Sequence, residues 1–179
     1  MESVVLLEIS AEREISSPPE AVWTQCTTAR GIEKWWSPED LRTKVRRWEA
    51  RPNGSISLSL RYLPAMLDPK STDAFRAAGV PVALDFQGRV LEFDPVRKLV
   101  LELTLNLGRG GAGITSRTVL NFEATPVGTR VKLSVLAKDE PHLRTLGETN
   151  LKAQLERLAA SLEVRNVPAE LDRVGTRPP

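Results

Sequence analysis

The chain predicts an α+β fold: a curved antiparallel sheet wrapped around one long C-terminal helix, with two short helices after the first strand. Three observations carry that expectation. Seven segments alternate apolar and polar residues, as half-buried strands do. Proline, glycine and asparagine punctuate them at turn-like intervals. From about residue 141 the apolar period changes to that of a helix and stays so to about 163. A sheet that grips a long helix often encloses an apolar cavity.

The elements follow in order. Residues 4–15 are rich in Val, Leu and Ile and predict the first strand. Ser16-Ser17-Pro18-Pro19-Glu20 reads as a helix start, with Ser17 as the cap and the prolines in the first turn, where an N–H has no partner to lose. Ala21, Val22 and Cys26 form the buried side of this short helix. Thr28 caps a second one, which ends at Trp35-Trp36-Ser37-Pro38. Strands are expected at about 41–51 and 55–63, joined by Pro52-Asn53-Gly54, a strong hairpin signal. In the second of them Ile56, Leu58, Leu60 and Tyr62 share the core face. Residues 64–81, bracketed by prolines and Gly79, read as a lid-like insertion in which Ser71 or Thr72 caps a short helix. Strands at 83–93 and 98–107 are linked by Asp94-Pro95. Gly108-Arg109-Gly110-Gly111-Ala112-Gly113 then forms a hairpin loop. It lacks the Gly-Lys-Ser/Thr of a phosphate loop and opens no helix. Strands at 114–125 and 129–138 flank Pro126-Val127-Gly128. In the closing helix Leu143, Gly147, Leu151, Leu155, Leu158 and Leu162 fall on one stripe. The expected organisation is one domain over 1–163 and a C-terminal tail over 164–179.

Composition narrows the function classes. The 179 residues include 25 basic and 23 acidic ones, a formal net charge of +2, which gives no general reason to expect nucleic acid. No apolar run approaches the roughly 20 residues that span a bilayer, and the N-terminal stretch has no basic region or small-residue cleavage site. The single cysteine, Cys26, excludes an intrachain disulfide and makes a reducing cytoplasm the expected home. One histidine, His142, leaves no triad or zinc constellation to assemble, so no metal and no cofactor is expected. Arg42, Lys44, Arg46, Arg47 and Arg51 surround Trp48 in a basic cluster. Glu39, Asp40 and Glu49 dilute it, and a solvated strand face is the expectation.

Four motifs occur in order: SPPEAVW, WWSP, GRVLEFDPVRKLV and GTRV, followed by the closing helix. In this order they resemble the helix-grip fold of the START-like superfamily (also termed SRPBCC). The nearest resemblance is to its branch related to the C-terminal domain of the activator of the heat-shock-protein-90 ATPase. The resemblance covers about residues 5–163. It departs at Gly147-Glu148, where family members often carry Gly-Trp. It implies a ligand-binding protein, with cyclases and hydrolases among its relatives, and a chaperone-linked protein partner as a further class.

The expected site is a cavity between sheet and helix that takes a hydrophobic small molecule, lipid-, acyl- or polyketide-like. Its apolar lining is assigned to Leu58, Leu60, Phe86, Leu101, Leu103, Leu120, Phe122, Leu133, Leu151 and Leu155, with Trp36 at the mouth. Its polar groups are assigned to Arg47, Tyr62, Asn150 and Gln154. Arg47 is in phase with Thr43 and Val45 and would pair with an acidic head group. Asn150 and Gln154 are four residues apart and project together. Glu92 is in phase with Val90 unless a bulge near Gly88 turns it outward. An enzyme would have to use Tyr62, Glu92 or Arg47, with Asp85 a further carboxylate.

Overall fold

A computed structural model describes residues 6–37, 41–62, 83–106, 113–138 and 141–163, with the side chains of 6, 138 and 141–146 outside that description. The expected insertion at 64–81, the glycine loop before Gly113, the His142 side chain and the tail at 164–179 lie outside the described residues.

The described strands are β1 (Leu6–Ile15), β2 (Leu41–Trp48), β3 (Ser55–Tyr62), β4 (Ala83–Asp94), β5 (Lys98–Asn106), β6 (Ile114–Thr125) and β7 (Gly128–Lys138). They form one antiparallel sheet in the order β1-β7-β6-β5-β4-β3-β2. The two short helices, α1 (Pro19–Thr27) and α2 (Ala29–Trp35), follow β1, and the long helix, α3 (Pro141–Glu163), closes the chain. The α+β fold with a sheet curved around the last helix is therefore as the periodicity predicts.

Local chemistry explains most boundaries. Thr28 caps α2, its hydroxyl accepting the N–H of Gly31 at 3.2 Å. Ser17 does not cap α1; Pro18 occupies that place without a side-chain cap. The cause is the second proline, because Pro19 disfavours a helical conformation in the residue before it. Ser17 is instead buried, and its carbonyl accepts the hydroxyl of Thr129 at 2.8 Å. Asn53, at φ 57°, makes the β2–β3 turn, as its Asn-Gly signal predicts. Gly128 sits at φ +154°, and a Cβ there would stand 2.1 Å from the carbonyl oxygen of Ile15. That close approach lets β7 begin directly against the end of β1.

Two register shifts alter which residues face the helix. One lies at Arg46 in β2 and one at Leu91 in β4. Each inserts a single residue and reverses the in–out phase beyond it.

The core lies between the sheet's concave face and the helices. Leu155, Leu158 and Leu162 of α3 are buried with Val22, Trp23, Ile32 and Trp35 of the short helices and with Val90, Leu99, Leu120 and Val131 of the sheet. Trp23 meets Phe93 and Phe122 edge-on, at 5.2 and 5.4 Å between ring centres. Cys26 is fully buried, which pushes its thiol well above the usual range and leaves it a small hydrophobe.

Candidate functional site, a pocket beneath the closing helix

Each central strand presents two different halves on its inner face. In β6, Phe122 and Leu120 pack into the core, while Thr118, Ser116 and Ile114 border open space. In β5 the division falls between Leu101 and Leu103, in β3 between Leu58 and Leu60, and in β4 between Val90 and Phe86. In α3 it falls between Leu155, which is wholly core, and Leu151 and Gln154, which also border the open space. The filled half has the tryptophans of the short helices as its plug. The other half is a pocket of about 420 Å³, within the range of small-molecule sites.

Of the residues assigned to the site from the sequence, Trp36, Leu60, Phe86, Leu103, Leu133, Asn150, Leu151 and Gln154 border this pocket. Leu58, Leu101, Leu120, Phe122 and Leu155 do not; they point to the same face but are consumed by packing. Tyr62 stands opposite Leu41 in the β2–β3 pair and is not among the bordering residues. Alternation alone identified the face and could not identify the half of it left open. The missed residues include Ile9, Leu41, Leu84, Leu105, Ser116 and Thr118. Continuing the β6 alternation outward from Leu120 would have found Thr118 and Ser116.

Arg47 is turned away. The bulge at Arg46 pairs it with Ser57, on the outer face, where it borders a separate shallow groove with Arg46, Gln87 and Asn106. Glu92 is also outward, through the shift at Leu91 rather than at Gly88, and it pairs with Lys98 at 2.9 Å. Asp85 pairs with Arg46 at 3.2 Å. The basic cluster of β2 is a solvated face: Lys44 pairs with Glu33 and Arg51 with Glu49.

The WWSP motif locks the pocket's floor to its roof. Trp35 is completely buried and its indole N–H donates to the carbonyl of Gln25 at 3.3 Å. Trp36 crosses it edge-on at 5.4 Å and borders the pocket. The carbonyls of Trp36 and Ser37, which the end of α2 leaves unpaired, accept the Gln154 amide N–H and the Arg157 guanidinium. Gly147 brings α3 down onto β1, since a Cβ there would stand 2.5 Å from Cδ1 of Ile9. Glu33 ties α2 to the sheet's edge. Its carboxylate accepts the Val45 N–H at 2.9 Å and is held below the usual range by that bond and by Lys44, against a smaller opposing effect of burial.

A seven-stranded sheet gripping a C-terminal helix, with two short helices after the first strand, is the architecture of START-like helix-grip proteins. Within that class the chain belongs to the family described as Activator of Hsp90 ATPase homolog 1-like protein, whose model matches residues 16–163. Solved structures share the fold. Protein CV1439 from Chromobacterium violaceum is 19% identical, with a TM-score of 0.70 over 87% of this chain and 97% of that one. The AHSA1 protein SPO3351 from Silicibacter pomeroyi is 18% identical, with a TM-score of 0.68 over 89% and 100%. The AHSA1-like protein from Aeromonas hydrophila is 17% identical, with a TM-score of 0.63 over 91% and 96%. No curated protein matches the chain. Among the described residues, no helix is long and apolar enough to cross a membrane.

Proposed function

We propose that the protein binds a hydrophobic small molecule in the pocket between the sheet and α3. The observation that carries this reading is the split inner face. On β3, β4 and β5 apolar residues continue past the point where packing against the short helices ends, and Leu60, Phe86, Leu103 and Leu105 turn a side to open space. Apolar surface left this way has a favourable free energy of transfer to an apolar ligand, about 25 cal/mol per Å² covered. A cytoplasmic setting belongs to the same proposal and rests on the single buried cysteine.

The test is native mass spectrometry of the purified protein, followed by organic extraction. A reproducible co-purifying apolar molecule is expected. Leu105→Trp, which fills the pocket from its wall, should yield the same protein with that molecule lost. Equal loading of the variant would overturn the reading.

A cyclase or hydrolase built on Tyr62, Glu92 and Arg47 has no support from the geometry, because two of the three face away from the pocket. The family description supports a chaperone-linked partner as a second reading. Pull-down with the Hsp90 ATPase tests it, and absence of association would end it.

A further inference from the structure

Within the apolar pocket one wall is polar. Thr118 and Ser116 are successive inward residues of β6, and both border the pocket. Thr118 is only 4% exposed. Among the described residues neither hydroxyl has a hydrogen-bond partner, and neither is sealed from solvent. Both hydroxyls open onto the pocket, and a purely apolar ligand that displaced its water would leave them without a bond. On α3, Asn150 and Gln154 also border the pocket. The Gln154 amide nitrogen is taken by the Trp36 carbonyl, so its Oε1 is the atom that remains to accept a bond. No charged side chain borders the pocket among the described residues.

We infer that the pocket selects an uncharged, largely apolar ligand with a neutral oxygen, carbonyl or hydroxyl, placed against Thr118 and Ser116. The inference rests on the proposed binding function and adds the chemical class. The reasoning has two parts. Thr118 can donate to a carbonyl or accept from a hydroxyl, and either bond replaces what the hydroxyl loses when a ligand displaces water from the pocket. A carboxylate at the same place would be desolvated with no cation among the described bordering residues, a far larger cost than burying a neutral oxygen. A fatty-acid anion is therefore selected against, while a ketone, alcohol or neutral lactone of similar length is accepted.

The test uses matched ten-carbon probes, 2-decanone, 1-decanol and decanoate, added to the full chain at pH 8 and followed by thermal shift and by tryptophan fluorescence. The ketone and the alcohol should bind at least tenfold more tightly than decanoate. Thr118→Val removes the hydroxyl at nearly constant shape. It should weaken 2-decanone about tenfold while leaving the unliganded melting temperature unchanged or higher, which a merely structural threonine would not do. Decanoate binding as tightly as the ketone, or Thr118→Val binding the ketone undiminished, overturns the chemical class while leaving the pocket as a binding site. If none of the three binds and nothing co-purifies, both this inference and the binding function fall.

Discussion

Glu33 shows how one side chain can hold a sheet edge. β2 is the last strand of the sheet, so the Val45 N–H has no neighbouring strand to bond, and Glu33 of α2 accepts it. The bond holds the carboxyl below its usual range in the folded chain. Its stabilisation is therefore fully present above about pH 4.3, the unfolded value for glutamate, and is lost as pH falls through the lower folded value. Urea unfolding measured from pH 7 down to pH 3 should show a declining midpoint in the wild type. Glu33→Gln should be less stable at pH 7 and should flatten that decline. An unchanged slope in the variant would assign the acid sensitivity elsewhere; Glu49, held low by the Ser55 N–H and by nearby Arg51 and Arg47, is the next group to examine.

The packing of α3 on β1 depends on an element-scale contact, the seat of Gly147 against Ile9. Alanine is the better helix former by about 1 kcal/mol. Here its Cβ would stand 2.5 Å from Cδ1 of Ile9, so either the isoleucine changes rotamer or the helix lifts. Gly147→Ala alone should lose about 1 kcal/mol or more of stability. In an Ile9→Val background, which lacks Cδ1, the same change should become neutral or stabilising. A double-mutant cycle by chemical denaturation gives the coupling, expected to exceed about 0.5 kcal/mol. Additive effects would show that this contact does not set the helix position. The stripe on α3 was legible from spacing, and its glycine was read as part of it. The close approach that requires the glycine comes from β1, more than 130 residues earlier, and leaves no local trace.

For the molecule as a whole, the decisive property is that, among the described residues, the concave face is packed at one end and borders a pocket at the other. The proposed ligand binding should therefore be sensitive to the open end and indifferent to the outer face. Arg47→Ala should leave 2-decanone affinity within about twofold, since Arg47 stands opposite Ser57 on the far side of the sheet. A substantial loss would mean that the outer groove communicates with the pocket. The same two-sidedness explains which residues bordering the pocket are legible from the sequence. Leu60, Phe86, Leu103, Leu133, Leu151, Asn150 and Gln154 follow from strand and helix periods that hold locally. Arg47 and Glu92 follow the same periods until a single inserted residue reverses them.

The elements, their order and their inward faces are properties of periodicity and turn chemistry, which act over a few residues and so can be read directly along the chain. Thr28 as a cap, the Asn53 turn and the leucine stripe of α3 are of that kind. The bulges at Arg46 and Leu91, the division between packed and open halves, and the unpartnered Thr118 are not. They depend on how much volume the tryptophans of two short helices fill between a curved sheet and a distant helix. That quantity exists only once the chain is folded, because it is a sum over side chains that meet from every part of it.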